Sequence, residues 1–204
     1  MNRPVPRFAL LCALLSLPLG AFALDSPVSQ AEAPVLLQPS APIPAEGGPG
    51  AKIAYLPSGP ALLSGGVGFI SVGNGLGLGL GGYSLSSEYV PTHDGIKYDL
   101  GYSYGGVVAN YSLYFPRSLF SIHTSVMVGP GQGWAVPRLT GADRVYVNFI
   151  QIEPGIDIML NVSRQLSLGL GFSWRLCGGA DLDNLLGSDL GGGGISFLIL
   201  VGQN

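Results

Sequence analysis

Four residues have side chains that could carry chemistry: His123, Glu153, Asp157 and Arg175. Each falls on the small and polar parity of an alternating stretch, so we expect all four to share an interior. A histidine oriented by a carboxylate could act as a base, but this requires a nucleophile or bound water within hydrogen-bond reach. Because buried charges must pair with one another or with water, the set favours a structural ion-pair network. A polar site for a small ligand, or a constricted channel, is the alternative.

Two glycine motifs resemble functional signatures in form only. Gly77–Gly82 satisfies G-x-G-x-x-G, and Gly101–Gly105 satisfies G-x-S-x-G. Both signatures require a helix directly after a strand, and no helix is predicted after either motif. The acidic stretch 181–189 lacks the spacing of an EF-hand, and Cys177 is interpreted as a small wall residue. We therefore expect no catalytic residue, no metal site and no cofactor.

The elements that would position these residues are β-strands. Between Arg164 and Cys177 bulky and small side chains alternate, and the bulky parity consists of Leu166, Leu168, Leu170, Phe172, Trp174 and Leu176. In a strand this pattern makes one face apolar and the other small or polar. Only 10% of the chain is charged, too little to coat a soluble barrel, so the apolar face is predicted to meet lipid. We predict an all-β fold, a closed antiparallel up-and-down barrel of about eight strands, with ten as the alternative.

Local signals refine this barrel. Asn74-Gly75, between two apolar runs, predicts a type I′ hairpin turn. Gly81-Gly82 and Gly105-Gly106 predict bulges, the second because the bulky parity changes there. Residues 129–143 are predicted to form a loop. Aromatic girdles at the two membrane interfaces are predicted from Tyr98, Tyr102, Tyr104, Tyr111, Tyr114, Trp134 and Trp174.

The chain divides into three predicted regions. Residues 1–23 combine Arg3 and Arg7, an apolar run and Ala21-Phe22-Ala23, which is typical of a signal peptide. Residues 24–60 are proline-rich and are predicted to be disordered, and residues 61–204 form the predicted barrel domain. Removal of the signal peptide leaves seven basic and twelve acidic residues, a net charge of −5, so no nucleic-acid partner is expected.

The sequence resembles a set of uncharacterised outer-membrane β-barrel proteins of Bacteroidetes-like Gram-negative bacteria. The resemblance covers roughly residues 60–204, and its glycine- and aromatic-rich motifs are only moderately specific. It lies in the stretches Gly79–Tyr83, Tyr104–Val107, Val128–Gly131, Ile152–Gly155, Asn161–Ser163 and Leu168–Arg175. The resemblance implies a barrel, a location in the cell envelope and no assigned activity.

These observations together predict a non-enzymatic outer-membrane barrel with a structural or surface-interaction role and a lumen filled by side chains. One alternative is a narrow channel or small-ligand carrier. Another is a soluble periplasmic barrel that binds an apolar ligand, in which case the two faces would be inverted. The expected partners are membrane lipid and either a small ligand or a surface partner, and the oligomeric state is left open.

Overall fold

The computed structural model describes residues 45–93, 96–138, 144–179 and 190–202. These residues form eight long strands and one strand of two residues. The strands are β1 (Ala45–Leu56), β2 (Gly59–Gly73), β3 (Leu76–Leu85), β4 (Thr92–His93), β5 (Ile96–Tyr114), β6 (Phe120–Pro137), β7 (Val145–Asn161), β8 (Leu166–Gly178) and β9 (Gly192–Gly202). Within these residues no helix is long and apolar enough to cross a bilayer.

The eight long strands form a closed barrel. Consecutive long strands pair antiparallel, β3 with β5 across the short β4, and β1 also pairs with β9. The pairing between β9 and β1 joins the first long strand to the last, so every long strand has a hydrogen-bonded neighbour on each side. The predicted all-β, antiparallel up-and-down barrel is therefore confirmed with eight long strands rather than ten.

The barrel begins earlier in the chain than the sequence predicts. Strand β1 and the first two residues of β2 fall inside the segment 24–60, so the prediction of disorder is wrong for residues 45–60. Proline and glycine hide the strand pattern there, but pairing with β2 and β9 supplies hydrogen bonds that a local pattern does not reveal. Residues 1–44 lie outside the described residues, so the signal peptide and the rest of the proline-rich segment stay predictions.

Three prolines lie in the interior of long strands, away from the strand ends, and each coincides with a gap in one ladder. The β1–β9 ladder lapses at Pro49, the β5–β6 ladder at Pro130 and the β7–β8 ladder at Pro154, and the register is the same on both sides of each gap. A proline has no N–H to donate, so a gap of this kind is its expected effect.

The two predicted glycine bulges are wrong. Gly105-Gly106 lies opposite Pro130, where pairing lapses without a shift of register. Gly81-Gly82 is paired continuously on both sides, and the register shift between β2 and β3 lies instead between Ser71 and Gly73. The predicted loop 129–143 is also wrong at its start, because β6 continues to Pro137.

The two ends of the barrel differ in their connections. At one end, here called the loop end, the strands are joined by residues 57–58, 86–95, 138–144 and 179–191. At the other, the turn end, they are joined by residues 74–75, 115–119 and 162–165, and the first and last described residues also lie there. Asn74 (φ 52°) and Gly75 (φ 78°) both have positive φ, which confirms the predicted type I′ turn.

The outer surface of the wall is apolar. Alternate residues of every long strand point outward, and exposed examples are Ile70, Leu80, Val107, Ile150, Ile158, Leu170 and Val201. Of the predicted girdle residues, Tyr111, Trp134 and Trp174 lie on this outer face. Tyr114, at the strand end, packs edge-on against His123 with ring centroids 6.2 Å apart.

The other girdle tyrosines point inward, which corrects the sequence prediction. Tyr102 and Tyr104 are buried in the lumen, and Tyr98 packs against the same interior. Residues of even number point inward along β5 from Leu100 to Ser112, so the bulky parity changes in sequence without any change in the strand. Gly131 and Gly133 of β6 are the cross-strand partners of Tyr104 and Tyr102, so no side chain of β6 opposes either ring.

Candidate functional site

Glu153 of β7 is the centre of an ion-pair network inside the barrel. Its Oε1 accepts hydrogen bonds from Lys52 Nζ of β1 and from Ser173 Oγ of β8, the latter at 2.7 Å. Its Oε2 accepts a hydrogen bond from Arg175 Nε at 3.2 Å. All three charged side chains are at least nine-tenths buried. The carboxylate therefore links three strands through one charged centre in the middle of the lumen.

Tyrosine rings surround the two cations of this network. Lys52 Nζ lies 3.9 Å from the centroid of the Tyr83 ring, and Arg175 Cζ lies 4.5 Å from that of Tyr104. Arg175 also donates through Nη1 to Tyr102 Oη at 2.8 Å and to the Leu190 carbonyl oxygen at 3.2 Å. Such cation–π contacts and hydrogen bonds compensate the guanidinium for the water it loses on burial.

Asp157 and His123 lie nearer the turn end and are held separately from this network. The two residues are cross-strand partners on β7 and β6. Asp157 Oδ1 accepts a hydrogen bond from Ser196 Oγ at 2.7 Å, and His123 Nε2 lies 3.4 Å from Ser121 Oγ. The described contacts therefore do not include the carboxylate–histidine hydrogen bond that a catalytic base would need.

The structure places all four predicted residues inside the barrel, but it joins only two of them directly. Glu153 and Arg175 form an ion pair, whereas Asp157 and His123 contact serines. Among the described side chains that are less than a tenth exposed, two basic and two acidic ones lie in the lumen: Lys52 and Arg175, and Glu153 and Asp157. The formal charges of these four side chains sum to zero.

Sequence reasoning missed several members of the network. Lys52 was assigned to a disordered segment, and Tyr102 and Tyr104 were assigned to the outer face. One sequence signal could have identified Lys52, because Ile53 and Tyr55 form an apolar parity on either side of a small residue. In the structure, residues 52–56 of β1 do alternate between buried and exposed side chains. No local signal marks the tyrosines, because lumen and lipid both accept bulky side chains.

A small cavity of about 40 Å³ lies beside the network. Its lining includes Lys52, Asn110, His123, Glu153 and Asp157. The Oδ1 atom of Asn110 is buried there, without a hydrogen-bond partner among the described residues. The amide of Gln151, fully buried in the lumen wall, likewise has no partner in that part of the chain for either of its polar atoms. Buried water is the usual partner of such groups.

The network is suited to filling and closing the lumen. An interior of eight strands is just wide enough to be filled by side chains or to hold one small ligand. In the described part of the chain no group of three or more histidine, cysteine or acidic side chains could hold a metal ion. The interactions that the network makes are ion pairs, hydrogen bonds and cation–π contacts.

No family model matches the chain, and no curated protein matches it significantly in sequence. Solved structures do share its architecture. Neisserial surface protein A aligns with a TM-score of 0.59 at 12% identity, over 78% of this chain and 95% of the other. Weaker likenesses are the N-terminal β-barrel domain of Pseudomonas aeruginosa OprF (TM-score 0.47, 10% identity, 79% and 98% covered) and Ail, the attachment invasion locus protein of Yersinia pestis (0.49, 9%, 78% and 96%).

The class of protein that the fold and the site define is therefore a small, closed, eight-stranded antiparallel β-barrel with a polar, side-chain-filled lumen. At 12% identity the likeness to Neisserial surface protein A extends to the fold alone.

Proposed function

We propose that this protein is an outer-membrane β-barrel with a non-enzymatic, structural or surface-interaction role. The distribution of charge on the wall carries the proposal. Every charged side chain of the described residues lies in the lumen, in a connection between strands, or within four residues of a strand end. The outer face between the two ends is covered by exposed aliphatic and aromatic residues, as expected of a wall in contact with lipid.

The apolar outer face distinguishes this proposal from a soluble barrel. A soluble monomer rarely exposes a continuous apolar patch beyond several hundred Å². Here apolar side chains project outward from all eight long strands, whereas charged side chains and serine hydroxyl groups occupy the middle of the lumen. This arrangement is the opposite of the one that a soluble carrier of apolar ligands requires.

The proposed orientation places the loop end outside the cell. Outer-membrane barrels have short periplasmic turns and longer extracellular loops. The connections 86–95, 138–144 and 179–191 are longer than the three at the turn end. The loop end is consequently the surface at which partner contacts are proposed.

The experiment that tests this proposal is fractionation of a Gram-negative host that expresses the full chain, followed by electrophoresis of heated and unheated samples in detergent. We expect recovery with the outer membrane and a mobility shift on heating. Leu170→Arg provides a matched control, because it places a charge on the outer face of β8 while leaving the lumen unchanged. Recovery of the wild-type protein in the soluble periplasm, without a mobility shift, would overturn the proposal.

A narrow channel or small-ligand carrier is the second candidate function. Its support is the cavity beside the network, which is lined in part by Asn110, whose Oδ1 has no hydrogen-bond partner among the described residues. Planar-bilayer conductance discriminates between the two functions. A filled lumen predicts no steady conductance from the wild-type protein, whereas reproducible unitary steps would favour the channel.

A further inference from the structure

The outer face of β5, β6 and β7 changes character in steps towards the loop end. Cross-strand register aligns outward side chains of the three strands in rows. The first row, in the apolar part of the wall, consists of Val107, Val128 and Ile152. Beyond one intervening row, the next three rows towards the loop end are Ser103, Gln132 and Asn148; Gly101, Trp134 and Tyr146; and Asp99 and Val136. Arg144 directly precedes β7 beside this last row, and Lys97 and Arg138 lie beyond it.

Apart from the polar row of Ser103, Gln132 and Asn148, this order matches the passage from hydrocarbon to water at a membrane surface. Aliphatic side chains belong in the bilayer core, amphipathic tryptophan and tyrosine at the headgroup level, and charged groups in water. The ring of Trp134 covers Gly101, where a Cβ atom would come within 2.4 Å of it. Arg144 therefore lies one row beyond the aromatic row and Lys97 two rows beyond it, on the side where lipid headgroups would be.

Among the described residues, the charges of this face are only partly compensated. Arg138 donates to Asp99 at 2.7 Å and to Glu88, and these hydrogen bonds raise the pKa of its guanidinium. The charge of Arg138 is thus compensated by two carboxylates of the protein itself. Lys97 and Arg144 have no acidic partner in the described part of the chain, and Arg144 Cζ lies 4.6 Å from the centroid of the Trp134 ring. Within the described residues, two basic side chains without an acidic partner therefore lie on the loop-end side of the aromatic row.

We propose that this face, formed by Lys97, Trp134, Arg144 and Tyr146, binds the phosphate-bearing headgroup of a membrane lipid. Guanidinium groups bind phosphate oxygens in a bidentate geometry, and lysine adds a point charge. The aromatic row contacts the interfacial part of the lipid, and the aliphatic rows contact its acyl chains. The inference rests on the proposed location of the barrel in a membrane.

Trp134 provides a local reporter for a test. The chain has two tryptophans, so Trp174→Phe leaves Trp134 alone. The folded barrel in nonionic detergent would be titrated with dihexanoyl phosphatidic acid, dihexanoyl phosphatidylcholine or inorganic phosphate, and Trp134 fluorescence would be recorded. We expect a saturable response to phosphatidic acid that weakens with added salt, and little response to the other two at equal concentration.

The variants separate specific binding from general charge. Arg144→Gln is expected to weaken the apparent affinity roughly fivefold, and Lys97→Gln combined with it roughly 25-fold, from the usual contribution of a basic residue near an anionic surface. The matched control is Arg117→Gln, an exposed arginine at the turn end, which should leave the titration unchanged. The heating shift in electrophoresis verifies that each variant is folded.

Three outcomes would overturn the site. An equal response to phosphatidylcholine would show ordinary solvation by lipid, and an equal response to inorganic phosphate would show a site for the free anion. Equal losses in Arg117→Gln and Arg144→Gln would show an effect of net charge. Because the titration is performed in detergent, it is independent of cellular location. A barrel recovered in the soluble periplasm that still binds phosphatidic acid would therefore refute the outer-membrane location while retaining the site.

Discussion

Glu153 accepts hydrogen bonds from both Lys52 and Arg175, so its removal is predicted to be the most damaging single change in the lumen. Glu153→Gln preserves the size of the side chain and can still accept the hydrogen bond from Ser173. It leaves two buried cations without their shared carboxylate. The lumen then carries an excess of positive charge that water cannot reach freely.

The size of the effect follows from the cost of leaving a buried charge unpaired. Breaking a buried ion pair by removing one partner costs about 3–5 kcal/mol. We therefore expect Glu153→Gln to lower the free energy of unfolding by about that amount. Adding Lys52→Met to Glu153→Gln removes one of the two stranded cations, so the double variant should be more stable than Glu153→Gln alone by at least about 1 kcal/mol.

The assay is equilibrium unfolding in urea of barrels folded into phospholipid vesicles. Trp134 and Trp174 lie on the outer face, so their fluorescence reports the loss of lipid contact on unfolding. Asp157→Asn serves as the control, because Asp157 accepts a hydrogen bond from Ser196 and forms no ion pair within the described residues. Its expected cost is about 1 kcal/mol.

Two results would refute this reasoning. If Glu153→Gln and Asp157→Asn cost the same, the pairing of Glu153 with two cations would have no special weight. If the double variant with Lys52→Met is less stable than Glu153→Gln alone, the cost of Glu153→Gln does not arise from stranded positive charge.

Three further predictions use the same vesicle assay. Leu170→Arg places a charge on the outer face that is proposed to meet lipid and should lower the free energy of unfolding by about 2–4 kcal/mol, whereas Val145→Arg, at the loop end, should lower it by about 1 kcal/mol or less. Equal costs would contradict the proposed depth of these positions. Gln151→Met should stabilise the barrel by about 1 kcal/mol, because both polar atoms of the buried amide lack partners in the described chain, and a loss of stability would indicate a bound water or ligand. Gly75→Val should lower the free energy of unfolding by more than about 1 kcal/mol, because φ at this position is 78° and a Cβ atom would lie 2.5 Å from the Ser112 carbonyl oxygen. Unchanged stability would refute the turn geometry.

Much of the fold follows from local sequence pattern. The alternation in β8 predicts which of its side chains point outward, and Asn74-Gly75 predicts a hairpin whose two φ angles are both positive. The inward direction of the four candidate site residues also follows from parity, since a strand sends alternate side chains to opposite faces.

Strand β1 shows where local pattern is insufficient. Its first half contains Gly47, Gly48, Pro49 and Gly50, a composition typical of a loop. The segment is nevertheless paired with β2 along its whole length and with β9 on either side of Pro49. Strand β9 is distant in sequence, and β2 is itself glycine-rich. Strand β1 is therefore stabilised by closure of the barrel rather than by its own propensity.

By itself, the sequence determined the class of fold and the parity of its clearest strands, because alternation and turn chemistry act between neighbouring residues. The tertiary structure alone decided that Tyr102 and Tyr104 point into the lumen and that Lys52 meets Glu153. The physical reason is that a bulky side chain is compatible with both lipid and a packed lumen. Which of the two it enters depends on glycines in adjacent strands and on charges from strands far apart in the chain.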